Sequence, residues 1–137
     1  MPVFGERSRA RLLTCDPRIE RVLNRAILHF DFTVLEGHRG EEAQNEAHAT
    51  GRSTKKWPDS RHNRSPSIAV DIAPWPIDWD DRERFTFLAG LIIGIARELD
   101  VPLFWGGDWD GDTEVADNGF DDMPHFELRE LPAQRRT

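Results

Sequence analysis

The sequence predicts an α+β fold in which a small, mostly antiparallel sheet is packed with about three helices. Three stretches are typical of helices, at residues 16–28, 41–49 and 82–99. Four short β-type runs lie at residues 32–35, 68–73, 101–105 and 125–128. A chain of 137 residues fits one domain, residues 1–137, and we expect residues 131–137 to be a frayed tail.

The first helix has a clear start signal. Asp16 is a good N-cap residue, and Pro17 suits the first helical position. Apolar residues follow at helical spacing: Ile19, Val22, Leu23, Ala26 and Ile27. The pattern predicts an amphipathic helix that ends at about residue 28.

A glycine-flanked arginine follows the first predicted strand. Gly37 and Gly40 enclose Arg39, which therefore lies at a turn between strand 32–35 and helix 41–49. Residues 51–58 are polar and rich in helix breakers, which indicates a loop. The basic residues near this loop are Arg52, Lys55, Lys56, Arg61 and Arg64. They could meet an anionic substrate or form an ordinary solvated surface.

The longest predicted helix takes its caps from residues 78–81 and ends near residue 99. Its apolar face contains Phe85, Leu88, Ala89, Ile92, Ile93 and Ala96. We expect this face to pack against the sheet. Residues 106–121 are predicted to form a long acidic loop before the last strand.

Composition argues against several classes of protein. The net charge of −7 disfavours general nucleic-acid binding, which depends on neutralising phosphates. No apolar run approaches the roughly 20 residues of a membrane span. Residues 1–13 carry arginines but no signal-peptide core, so we expect a protein that is made and folds in the cytoplasm. Cys15 is the sole cysteine and is interpreted as a packing residue.

One acidic residue stands out in the second β-type run. Asp71 lies within residues 68–73, where a buried charge is costly unless something pairs with it. A metal ion would do so, with His62 before the run and His125 near the last strand as further ligands. Zinc hydrolases take three such ligands and keep a fourth position for water. The spacing alone also fits three unrelated polar residues.

Several ordered motifs resemble those of one peptidase superfamily. Ser60-x-His62 followed by Ala69-x-Asp71, and Asp122-x-x-His125-x-Glu127, are similar to the two signatures of zinc D-alanyl-D-alanine carboxypeptidases and dipeptidases. The nearest resemblance is to phage L-alanyl-D-glutamate endopeptidases, and it covers nearly the whole chain. Its other parts are residues 8–27, Gly37-x-Arg39 with Gln44, and residues 104–109. One departure is that eight residues separate His62 from Asp71, where the common form has six and includes glycine.

The resemblance implies a role for each matching position. His62, Asp71 and His125 correspond to the ligands of one zinc ion. Asp122 corresponds to the general base, with the neighbouring Asp121 as its rival. Arg39 corresponds to the arginine that polarises the scissile carbonyl.

The resemblance implies hydrolysis of an amide bond in the stem peptide of bacterial peptidoglycan by a phage or prophage endolysin. Such an enzyme would wait in the host cytoplasm and act on the cell wall after release. The alternatives are a D-alanyl-D-alanine carboxypeptidase or dipeptidase, and a non-catalytic wall-binding or virion module. We expect a monomer without a nucleic-acid partner or membrane insertion.

Four further residues could support the site or touch substrate: Ser60, Gln44, Glu127 and Trp109. Glu127 alternates with His125 on a predicted strand and could orient it, or it could be an exposed surface residue. The acidic loop offers oxygen ligands for a regulatory Ca²⁺ ion at Asp108, Asp110 and Asp112, although it does not match the EF-hand pattern.

Overall fold

The computed structural model describes residues 1–111, 113 and 122–130. The helices in this part of the chain are α1 (Glu6–Leu12), α2 (Pro17–Ala26), α3 (Glu41–Ala49) and α4 (Arg82–Glu98), with a short 3₁₀ turn at Arg61–Asn63. The strands are β1 (Phe32–Glu36), β2 (Ala69–Pro74), β3 (Leu103–Trp105) and β4 (His125–Leu128). The predicted α+β class is confirmed, and α1 is additional to the three predicted helices.

The four strands form one sheet in the order β1-β2-β4-β3, and all neighbouring pairs are antiparallel. Val70 and Ile72 of β2 are buried in the hydrophobic core. Because side chains alternate along a strand, Asp71 points to the opposite face of the sheet. Asp71 lies directly across from His125 in the ladder between β2 and β4. The sheet register therefore places two of the predicted ligands side by side.

Helices α2 and α4 supply much of the core, on the face of the sheet that Val70 and Ile72 point to. Asp16 caps α2 by accepting a hydrogen bond from the Arg18 N–H (2.9 Å), and Asp81 caps α4 by accepting from the Arg84 N–H (3.2 Å). The buried residues of the two helices are Ile19, Val22, Leu23, Ala26, Phe85, Leu88, Ala89, Ile92, Ile95 and Ala96. No helix in the described part of the chain has the length and apolar character to cross a membrane.

Helix α1 covers the outer edge of β1. The Ser8 hydroxyl accepts a hydrogen bond from the Val34 N–H (3.0 Å), and Arg11 donates to the Val34 carbonyl (3.0 Å). These contacts satisfy backbone groups that would otherwise form an exposed sheet edge. The sequence did not predict α1 because four of its seven residues are charged and no apolar stripe marks it.

The remaining boundaries differ little from prediction. Strand β3 begins at Leu103 and not at residue 101, because the Val101 N–H bonds to Ala96 at the end of α4 (2.8 Å). Most of the predicted acidic loop and the predicted tail lie outside the described residues. The single-domain organisation and the monomeric state stay predictions.

Candidate active site

Three polar side chains from three elements converge on the face of the sheet opposite the core. His62 comes from the 3₁₀ turn, Asp71 from β2 and His125 from β4. His62 Nε2 lies 3.2 Å from Asp71 Oδ1, and His125 Nδ1 lies 3.0 Å from the same oxygen. One ligand atom from each residue lies within 4.8 Å of the other two. The set is compact enough to hold a single metal ion.

The far nitrogen of each imidazole is fixed by a hydrogen bond. His62 Nδ1 lies 2.7 Å from the Gly37 carbonyl, which can only accept, so Nδ1 is the donor and Nε2 faces Asp71. His125 Nε2 lies 2.9 Å from Glu127 Oε1, so Nε2 donates to that carboxylate and Nδ1 faces Asp71. Two imidazole nitrogens and a carboxylate oxygen are a donor set that zinc prefers, with room for a fourth ligand.

Without a metal ion, the histidines and the aspartate pair with one another. Burial would raise the pKa of Asp71, but the hydrogen bonds from His125 and His62 outweigh it and hold that pKa well below its usual range. Burial would lower the pKa of His125, whereas its hydrogen bonds with Asp71 and Glu127 raise the pKa to about 9. A metal ion would replace the proton that His125 shares with Asp71.

The turn that carries His62 is closed by its own side chains. Ser60 Oγ accepts a hydrogen bond from the His62 N–H (3.2 Å), and the Asn63 side-chain carbonyl accepts from the Ser60 N–H (3.0 Å). This reciprocal capping box fixes the position of His62. Ser60 therefore supports the turn, and Asn63 is a supporting residue that the sequence reasoning missed.

Arg39 lies beside Asp71 and is held on two sides. Its Nε donates to Glu36 Oε1 (2.8 Å), and its Nη1 donates to Gln44 Oε1 (3.0 Å). Its Nη2 lies 3.8 Å from Asp71 Oδ2, and the side chain is 12% exposed. Gln44 is fully buried and also donates to the Lys55 carbonyl (2.6 Å). The structure thus brings Arg39 and Gln44 to the three converging residues, as a fixed cation and its support.

Asp122 lies at the turn before β4. Its N–H donates to the Gly106 carbonyl (2.8 Å), and its own carbonyl accepts from the His125 N–H (3.0 Å). Burial, followed by the negative charge of Asp71, raises the pKa of its carboxyl group above the usual range. A carboxyl group whose pKa is raised is better suited to accept and return a proton than an ordinary carboxylate. Its predicted rival, Asp121, lies outside the described residues.

The chain was compared with known proteins. Residues 2–129 match the family model described as phage L-alanyl-D-glutamate peptidase. The chain belongs to this family. It is 33% identical over 135 residues to the L-alanyl-D-glutamate peptidase of Escherichia phage T5, an alignment that covers 91% of this chain and 96% of that protein. The crystal structure of the Serratia marcescens L-Ala D-Glu endopeptidase ChiX matches with a TM-score of 0.74 and 28% identity, covering 93% of this chain and 90% of that one.

The resemblance read from the motifs is thereby confirmed. In this member of the phage L-alanyl-D-glutamate peptidase family, two further residues that were predicted to support the site or touch substrate, Glu127 and Trp109, lie beside His125. Glu127 is 8% exposed and contacts the His125 ring directly. The Trp109 ring lies 5.8 Å from the His125 ring, centroid to centroid, and so lies beside the site. Glu127 is therefore not the exposed surface residue that the sequence left open as an alternative.

Two arginines also lie near the site in this family member: the sequence analysis named Arg61 only as part of a basic cluster, and it missed Arg129. Arg61 Nε lies 2.8 Å from Glu127 Oε2, and Arg129 Nε lies 2.9 Å from the same oxygen. Arg129 could have been found from its alternation with Glu127, whereas nothing in the sequence indicated that Arg61 pairs with Glu127.

The predicted calcium ligands are only partly described. Asp108 Oδ2 accepts a hydrogen bond from the Thr113 N–H (3.0 Å), which folds the start of the acidic loop back on itself. Asp110 follows two residues later, and Asp112 lies outside the described residues. Calcium binding stays a prediction.

Proposed function

We propose that the chain is a zinc-dependent L-alanyl-D-glutamate endopeptidase that cleaves the stem peptide of bacterial peptidoglycan. The observation that carries the proposal is the convergence of His62, Asp71 and His125 on one point, with Arg39 beside them. Membership of a family described by that peptidase activity supports the choice of substrate. As a phage or prophage endolysin, the enzyme would act on the wall after release from the host cytoplasm.

The side chains divide the work of hydrolysis. A zinc ion held by His62, Asp71 and His125 would supply Lewis acidity for the attack of water on the amide. Asp122 accepts the proton of the attacking water and returns it to the leaving amine. Arg39 is held by Glu36 and Gln44, so its guanidinium is already oriented towards the charge that develops on the carbonyl oxygen.

Digestion of purified peptidoglycan followed by mass spectrometry tests the proposal. We expect fragments with a new amino-terminal D-glutamate, loss of cleavage with a chelator, and recovery when zinc is added back. Released D-alanine would instead support the carboxypeptidase alternative. Zinc binding without any cleavage would support the non-catalytic module.

The role of Asp122 has its own test. The Asp122→Asn variant keeps the size of the side chain but cannot accept a proton, so we expect kcat to fall by about 100-fold or more while zinc stays bound. The exposed Glu130 provides the matched control, and Glu130→Gln is expected to cleave like the parent. A fully active Asp122→Asn variant would contradict the proposed mechanism.

A further inference from the structure

Glu127 lies at the centre of a group of three positively charged or hydrogen-bond-donating side chains. Its Oε1 accepts from His125 Nε2 (2.9 Å), and its Oε2 meets both Arg61 Nε (2.8 Å) and Arg129 Nε (2.9 Å). We propose that Glu127, held by Arg61 and Arg129, is the positioning residue that fixes His125 for metal binding. This inference rests on the proposed metal site.

The first step concerns the ring of His125. A carboxylate has no hydrogen to donate, so Glu127 can only accept, and Nε2 must carry the hydrogen. That choice leaves Nδ1 for the metal and fixes the plane of the imidazole. Hydrogen bonds of this kind to metal-ligating histidines commonly set metal affinity by 10-fold to 100-fold.

The second step concerns the two arginines. Glu127 is 8% exposed, and an isolated carboxylate at such a position would be costly. Two guanidinium groups on the same oxygen offset that cost and orient the other oxygen towards His125. An exposed ion pair contributes little to structure, but this carboxylate is buried and contacts all three partners at once.

The third step concerns the segments that the arginines connect. Arg61 immediately precedes His62, and its Nη1 also donates to the Leu128 carbonyl on β4 (3.3 Å). Arg129 donates to the Trp109 carbonyl and lies over the Phe104 ring, 4.6 Å from its centroid. Through Glu127, the turn that carries His62, the strand that carries His125 and the loop that carries Trp109 are held together.

The test measures zinc affinity directly, by competition with a chromophoric chelator, and needs no substrate. For Glu127→Ala we expect zinc affinity to fall 10-fold to 100-fold. In the zinc-loaded Glu127→Ala chain, the histidine ¹⁵N spectrum should also lose the single form of His125 that is protonated at Nε2 and bound to the metal through Nδ1. Glu127→Gln keeps an amide oxygen that can accept from His125, so we expect a smaller loss. Glu130→Ala, on the exposed neighbour, is expected to match the parent.

The outcomes separate the inference from the proposed function. A parent chain that binds no zinc would overturn the proposed function. A parent that binds zinc, with Glu127→Ala binding equally well and keeping the His125 tautomer, would overturn this inference alone. If Glu127→Ala does not fold, Arg61→Gln and Arg129→Gln retain the Glu127 side chain and each remove one guanidinium group that holds it. A several-fold loss of zinc affinity in both, with an unchanged near-UV circular dichroism spectrum, would support the inference, and parental affinity in both would refute it.

Discussion

Gly106 provides a way to displace Asp122 without substituting Asp122 itself. The N–H of Asp122 bonds to the Gly106 carbonyl, and the two backbones pass so closely that a Cβ atom on Gly106 would lie 3.0 Å from the Asp122 carbonyl carbon and closer still to its oxygen. The Asp122 carbonyl oxygen would lie more than 1 Å inside the 3.4 Å at which ordinary contact begins, so Gly106→Ala must push the Asp122 backbone away by roughly 1 Å. The neighbour is backbone and cannot rotate aside.

A displacement of this size is large for a group that is proposed to transfer a proton. Misplacement by about 1 Å can cost about 100-fold in rate, or about 2.7 kcal/mol of transition-state stabilisation. We therefore expect Gly106→Ala to lower kcat for peptidoglycan cleavage by about 100-fold while zinc remains bound. Turbidity loss of purified walls measures the rate, and metal analysis of the same sample measures zinc.

The control uses the same substitution at an open position. Gly90 is exposed on α4, and a Cβ there meets nothing within 4 Å. Gly90→Ala should keep full activity and gain about 0.5–1 kcal/mol of stability from helix propensity. Parental activity in a folded Gly106→Ala chain would refute the reasoning. Loss of zinc along with activity would also refute it, because the damage would then lie at His125.

Two further predictions concern Gly37, whose carbonyl contacts His62, and the buried Cys15. In Gly37→Ala the new Cβ would lie 2.5 Å from the Arg11 carbonyl oxygen, so we expect the free energy of urea unfolding to fall by about 1–3 kcal/mol. Because the Gly37 carbonyl orients His62, we also expect weaker zinc binding in the chelator assay. Parental values for both measurements would contradict this prediction. Burial raises the pKa of the Cys15 thiol to about 12. Ellman's reagent at pH 8 should therefore label Cys15 only after urea unfolds the chain. Rapid labelling of the native chain would contradict this, because it would show that the thiol is accessible.

The convergence of His62, Asp71 and His125 could be predicted from sequence because Asp71 breaks a local pattern and the two histidines fall in recognisable motifs. Asp71 is a charge within an apolar strand, and His62 and His125 fall in motifs whose order along the chain is informative. Strand alternation then sets the direction of Asp71. Because Val70 and Ile72 are buried in the core, Asp71 points to the opposite face of the sheet. The same alternation indicated that Glu127 could face His125.

The supporting contacts could not be predicted in the same way. The Gly37 carbonyl holds His62, but a backbone atom leaves no side-chain signature in a sequence. Helix α1 has no apolar stripe, and its Ser8 and Arg11 meet partners on β1 that are remote in the chain. Such contacts arise from tertiary packing, which overrides local propensity.

The enlarged bend between His62 and Asp71 shows why the unusual spacing does not disturb the site. Eight residues intervene, but residues 64–66 are exposed and both ends of the bend are anchored. The capping box fixes the His62 end of the bend. At the other end, the Ser67 N–H donates to the Thr14 carbonyl (2.9 Å), and the Ser67 carbonyl accepts from the Asp16 N–H (2.8 Å). The extra residues therefore project into solvent while His62 Nε2 stays 3.2 Å from Asp71. The geometry of the site depends on the anchored ends of the bend and not on its length.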